Sequence, residues 1–412
     1  MLTSLALIFL CGLVIGKIFN LIRLPSLLGM LLIGIVLGPF ALNYLDDSIL
    51  LISPDLRQLA LVIILTRAGL SIDIRDLKKV GRPAVLMCFM PASFEILGVV
   101  LIAPPLLGIS HLDAAIMGAV IAAVSPAVVV PRMLKLMEKG YGTKKSIPQM
   151  IMAGASVDDI FVIVLFSSFV SLSKGGNFSA LSLSEVPVSI VTGAVSGIVL
   201  GFALSMFFKQ FHMRDSIKVI IILSVSLLLL AVEKEFEHNI PFSGLLAVMC
   251  IGGGILESYG VLAQRLASKY SKLWVAAEIV LFVLVGATVD IKYAISSGIA
   301  AILVILGALA FRMLGVFVCT IKTPLTLKER FFCMIAYMSK ATVQAAIGGI
   351  PLALGLPCGR IVLTVAVLSI LITAPLGALG ADLTYEKLLS REEKKEEYNV
   401  CHPEKSESAR IC

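Results

Sequence analysis

Gly154-Ala155-Ser156-Val157-Asp158-Asp159-Ile160-Phe161-Val162-Ile163-Val164 sets two adjacent carboxylates in a run that is otherwise uncharged from Ile147 to Val170. A hydrophobic stretch of about 18 or more residues reads as a membrane-spanning helix. Each ionisable group inside such a helix costs about 2.5–3.5 kcal/mol on insertion scales, so it normally faces a polar cavity or an ion route. A surface-capping role fits poorly, because Lys144 and Lys145 mark the interface well before the acidic pair. Neighbours on a helix point about 100° apart. One aspartate can therefore face a cavity while the other turns toward an adjacent helix.

The surrounding chain has the composition of a polytopic membrane protein. Of its 412 residues, 58% are hydrophobic, against about 45–50% in soluble domains, and the mean hydropathy is +1.02. Apolar windows give thirteen candidate spans, near 2–20, 25–42, 54–72, 83–106, 112–134, 146–172, 186–208, 216–233, 241–257, 270–289, 297–320, 328–353 and 359–379. The odd-numbered loops, starting with 17–23, hold 20 of the 34 Lys and Arg, while the other set holds only Lys174, Lys234, Lys292 and Arg360. Positive charge favours the cytoplasm, which places the N-terminus outside and the C-terminus inside. The first apolar stretch lacks a small-residue cleavage pattern and reads as a span, not a signal peptide. The net charge of +7 is spread over short loops, which argues against nucleic acid. Eight cysteines without CxxC spacing read as small core hydrophobes, and no metal centre or cofactor is expected.

The chain also resembles itself. Pro25-Ser26-Leu27-Leu28-Gly29 through Gly38 is echoed by Pro241-Phe242-Ser243-Gly244-Leu245-Leu246 through Gly254. Leu61 through Asp73 is echoed by Leu281 through Asp290, and the two closing aspartates are 217 residues apart. An odd number of spans separates the copies, so the second lies upside down. Inverted repeats of this kind mark secondary transporters, whose sites lie near the midplane beside interrupted helices. The expected organisation is a transmembrane unit over 1–383, with repeat one near 1–172, a linker helix near 186–208 and repeat two near 216–380. A polar cytoplasmic tail over 384–412 is expected to be disordered.

The offset points to two interrupted helices. In the fifth span, Val124-Ser125-Pro126 puts a proline at mid-membrane. Pro126 removes a backbone donor and clashes with a preceding carbonyl; unwound backbone at that depth is tolerated only where it lines a cavity. Its counterpart in the twelfth span, Met338-Ser339-Lys340-Ala341-Thr342-Val343-Gln344, has no proline. Lys340 must pair, offset the negative end of a half-helix, or lose its proton. Glu95 and Arg312, mid-span and pseudo-equivalent by the repeat, suggest a buried pair. Arg57 and Arg67 lie nearer the ends of their span and are expected to seek the surface.

These parts suggest an exchange mechanism. Apolar surroundings penalise a charged carboxylate, so a buried one holds a proton more readily than one in water. A monovalent cation with several oxygen ligands favours the ionised form and competes with that proton. One site that carries either species and faces each side in turn is an antiporter. Asp158, Asp159, the Ser125 hydroxyl and carbonyls beside Pro126 are the candidate ligands, with Lys340, Glu95 and Arg312 as supporting charges.

On Ser156-Val157-Asp158-Asp159, Val124-Ser125-Pro126, Lys340-Ala341-Thr342-Val343-Gln344 and the Glu95 and Arg312 pair, the chain resembles the monovalent cation:proton antiporter superfamily. The resemblance is to the Na+/H+ antiporter branch with paired aspartates, over about residues 1–380. It implies an all-α fold of two inverted repeats with crossed discontinuous helices, moving against a dimerisation domain. It further implies that both aspartates hold the cation and proton, Asp159 principally, that Glu95 and Arg312 bridge core helices, and that Lys340 sits at the crossover. Expected partners are Na+ or Li+ with H+, membrane lipid, and a second copy of the chain in a plasma membrane. Two departures stand out: Ser125-Pro126-Ala127 where some relatives carry an acid, and Arg312 where electrogenic relatives often carry a lysine. Arginine effectively cannot release a proton, which leaves the number of protons per cation open.

Three other readings compete with this one. An intramembrane aspartyl protease needs aspartates on two helices with a GxGD context, and neither is present, so no enzyme is expected. A sodium-coupled organic-anion symporter would need a roomy polar cavity, for which the spans offer few polar groups. A K+/H+ antiporter stays open, since selectivity among Na+, Li+ and K+ leaves little trace in sequence. Gly193-xxx-Gly197-xxx-Gly201 in the seventh span and Gly12-xxx-Gly16 in the first permit close helix packing.

Overall fold

Where apolar runs fall, helices follow. The computed structural model describes residues 1–22, 24–71, 81–174, 180–235, 242–296 and 298–391. The first half runs α1 (Leu2–Leu21), α2 (Ser26–Leu37), α3 (Asp47–Leu51), α4 (Ser53–Ser71), α5 (Arg82–Met87), α6 (Met90–Leu107), α7 (His111–Ala122), α8 (Pro126–Glu138) and α9 (Ile147–Lys174). After α10 (Ala180–Gln210) come α11 (Asp215–Glu235), α12 (Gly244–Ser258), α13 (Gly260–Ala287), α14 (Ile291–Ser296) and α15 (Gly298–Thr320). The chain closes with α16 (Leu327–Ala336), α17 (Thr342–Ile347), α18 (Ile350–Ala353) and α19 (Gly359–Leu388).

Nine helical stretches among the described residues are long and apolar enough to cross a membrane. The other four expected spans correspond to α2, α4, α12 and the α16–α18 series, which are short, interrupted or charged near their ends. Length and apolarity thus support nine crossings, and the count of thirteen remains an expectation.

The 217-residue offset runs through the architecture. Shifting α1, α2, α4, α6, α7, α8 and α9 by about that amount lands on α11, α12, α13, α15, α16, α17–α18 and α19, leaving α10 between the halves. Two contacts join residues separated by that same number, Glu95 to Arg312 and Ser125 to Thr342. Residues that a two-fold relates can touch only near its axis, so the axis passes through this region.

Helices α1, α2, α4 and α10–α13 pack mainly on one another, as do α5–α9 with α15–α19. Contact between the two groups is sparse, made chiefly by α9 with α10 and α12, by α17 with α4 and α13, and by α2 with α19. The glycine stripe of α10 is internal packing. A Cβ at Gly193 would stand 2.6 Å from the Ser243 carbonyl oxygen, and one at Gly201 2.5 Å from that of Ile251. Gly12 and Gly16 likewise abut Ile279 and Met30.

Helix α19 continues to Leu388, Leu389 is buried, and Ser390 accepts a backbone hydrogen bond from Gly142 at 2.9 Å. Residues 392–412, and most of the basic loop after α4, lie outside the described residues.

Candidate ion-binding site

Helix α7 stops at Ala122 because Ala123 turns extended (ψ 140°), and Ser125 (ψ 110°) caps the restart. Pro126 is the first residue of α8, a position where a missing N–H costs nothing. The break is thus real, but it precedes Pro126; the proline starts the second half-helix and does not kink a continuous one. Helix α16 ends at Ala336, where Tyr337 (φ −91°, ψ 10°) is not extended, and α17 restarts at Thr342 after Ala341 (φ −164°, ψ −75°). The two unwound segments meet. Ser125 N–H donates to the Ser339 carbonyl at 2.8 Å, and the Ser125 and Thr342 hydroxyl oxygens are 3.5 Å apart.

An interrupted helix leaves carbonyls without intrahelical partners and a partial negative charge at its C-terminal end. At the end of α7 three successive carbonyls are taken by side chains from the second repeat. Lys340 Nζ donates to Ile121, Arg312 Nη1 to Ala122, and Gln344 Nε2 to Ala123 at 2.8 Å. The sequence suggested free carbonyls beside Pro126 as cation ligands; these three are occupied.

The same cations bind carboxylates. Arg312 Nη1 meets Glu95 at 2.8 Å and Nη2 meets Asp158 Oδ2 at 3.1 Å, while Lys340 Nζ meets the other oxygen of Glu95 at 2.5 Å. All four side chains are at most 1% exposed. Val124 N–H, in the unwound segment between α7 and α8, donates to Asp158 Oδ2 at 2.9 Å. Tyr337 holds the guanidinium from a third side, accepting from Arg312 Nε at 2.7 Å through its carbonyl, with its ring 5.0 Å away. Its own hydroxyl donates to Met87 at the end of α5. Thr373 on α19 accepts from the Lys340 backbone at 3.1 Å.

Two positive and two negative groups therefore balance, and Asp159 is left over. It is half-buried, its Oδ1 is enclosed without a partner, and among the described residues no cation or donor reaches it. Asp158 Oδ1 is likewise buried and unpartnered. The two aspartates thus differ: Asp158 is held in the ion-pair cluster, and Asp159 stands outside it.

Arg57 is not at the surface: it is 7% exposed and bonds the Ser53 carbonyl at 3.4 Å. Gly349, between α17 and α18, leaves the room its guanidinium occupies. Arg67 is half-buried. Tyr337, Thr373 and the amide role of Gln344 were not anticipated, since an uncharged polar group in an apolar run carries little signal.

The chain is similar to known proteins. The family profile described as sodium/hydrogen exchanger, transmembrane, matches residues 5–382. The human sodium/hydrogen exchanger 9B2 is 34% identical over 415 residues, spanning 95% of this chain and 75% of the relative. The human sodium/hydrogen exchanger 9B1 is 35% identical over 418 residues, spanning 94% and 78%. Among solved structures, the sodium proton antiporter MjNhaP1 from Methanocaldococcus jannaschii superposes with a TM-score of 0.80 over 94% of this chain and 98% of that one, at 22% identity. That last likeness concerns the fold alone.

Proposed function

This chain belongs to the sodium/hydrogen exchanger family, and on that premise we propose that Asp159, with the free oxygen of Asp158, is where cation and proton exchange. The protein is a membrane antiporter that moves Na+ against H+. Family membership favours this over an organic-anion symporter. The observation that carries the site is charge balance. Arg312 and Lys340 neutralise Glu95 and Asp158 and leave Asp159 without a counter-charge. A carboxylate in such surroundings must be neutralised, and either a proton or a monovalent cation does so.

Exclusion follows from the same balance. Once a proton occupies the site, the charge that attracts Na+ is gone; once Na+ is bound, the proton is displaced. Alternating access is then a movement of α5–α9 and α15–α19 against α1, α2, α4 and α10–α13. The sparse contact between these groups supports that reading. Ser125 stands at the crossing of the two breaks as a further hydroxyl ligand. The basic bias of alternate loops supports an outside start for α1 and a cytoplasmic end for α19, in a homodimer of the plasma membrane with lipid around its apolar faces.

Reconstitution tests the reading. Vesicles reporting internal pH by dye dequenching, challenged with Na+, Li+ and K+ in turn with and without a membrane potential, should show Na+- or Li+-driven proton movement. Asp159→Asn should abolish it while the protein remains folded and inserted. Full exchange by that variant would remove Asp159 from the site.

A further inference from the structure

Gln344 carries no charge and belongs to no ion pair, yet it grips the peptide on which Asp158 depends. Its Nε2 donates to the Ala123 carbonyl at 2.8 Å and faces that of Ile121 at 3.4 Å. Two carbonyls at one end of the amide fix its orientation, because only the nitrogen can donate. The Ala123 carbonyl and the Val124 N–H belong to one planar peptide unit. That N–H donates to Asp158 Oδ2 at 2.9 Å. Gln344 and Asp158 therefore hold opposite ends of a single peptide group, one from each repeat.

The peptide has little other anchorage in the helices, since α7 ends at Ala122 and α8 begins at Pro126. Gln344 itself is 1% exposed and sits in the first turn of α17, directly after the second break. Lys340 already serves the Ile121 carbonyl, so the contribution particular to Gln344 is the Ala123 bond.

We propose that Gln344 is a positioning residue for cation binding, which fixes the tilt of the Ala123–Val124 peptide and thereby the direction of the Asp158 carboxylate. The inference rests on Asp158 and Asp159 being the cation site. A hydrogen bond in this place polarises the peptide as well as holding it, because hydrogen-bonded groups in a low dielectric reinforce one another. Loss of the amide would leave Asp158 bound to Arg312 but free to rotate its unpartnered oxygen away from the shared cation.

The test is the Na+ dependence of exchange in reconstituted vesicles for the parent, Gln344→Met and Gln344→Asn. Methionine keeps length and bulk without a donor, and the apparent KM for Na+ should rise about tenfold, the scale of one buried hydrogen bond, with maximal rate within about twofold of the parent. Asparagine keeps the amide one methylene short, and its KM should lie between the two. A lowered maximal rate with unchanged KM, or no change at all, overturns the proposal. If Gln344→Met does not fold, Gln344→Leu, which also lacks a donor, carries the same expectation of a raised KM; failure of both to fold assigns Gln344 a structural role and also overturns it. A parent without Na+-dependent exchange would instead count against the site reading beneath it.

Discussion

Removing the carboxylate of Asp159 and removing that of Asp158 should have opposite effects on stability. Asp159 has no counter-charge, so Asp159→Asn removes an unpaired desolvated group and should hold or raise the melting temperature while ending transport. Asp158→Asn breaks an ion pair with Arg312 that is fully enclosed, and should lower it. Glu95→Gln should cost most, about 3–5 kcal/mol by removing one partner of a buried pair, because both Arg312 and Lys340 lean on it. Thermal unfolding of the three purified variants in detergent ranks them. The charged members of this site were legible because a charge in an apolar run has no bland explanation. Gln344 was not: an amide carries too small an insertion penalty to stand out, and its role depends on which carbonyls it meets across the repeat. Arg57 misled for the converse reason, since nearness to a helix start says nothing about whether α17 and α18 cover it.

Among the elements, the two half-helix pairs meet at the proposed site, and their breaks arise differently. The first was flagged by Ser125-Pro126, the second only by the repeat offset, as Met338 through Ala341 contain no proline. Pro126 begins α8, so it does not force the interruption. Pro126→Ala should therefore leave exchange intact and cost only about 0.4–1 kcal/mol, the loss of chain stiffness in the unfolded state. A fall several times larger, or lost exchange, would mean that the proline holds the break open. The stop of α7 is better explained by its carbonyls, each of which has a side-chain donor waiting from the second repeat. Helix α16 is set at its start by a capping box, with Thr326 and Glu329 bonding each other's backbone N–H. That signal, Thr-x-x-Glu before an apolar run, is visible in sequence.

Across the whole molecule the two halves share an outline but not a chemistry. The position 217 residues beyond Asp158 is Pro375, inside α19, so the repeat that supplies the acids is distinct from the one that supplies Lys340, Arg312 and Gln344. Each half is incomplete alone, and the site exists only where they cross. The repeat offset made this crossing legible, whereas the division into two packing groups depends on helix–helix contacts that no periodicity encodes. The central claim is that one acidic site holds a proton or a cation in turn, and it is tested most directly by counting protons released when Na+ is added to detergent-purified protein in weak buffer. The account predicts proton release that saturates with Na+ binding, and neither release nor binding in Asp159→Asn. Na+ binding without proton release, or binding by that variant equal to the parent, would contradict it.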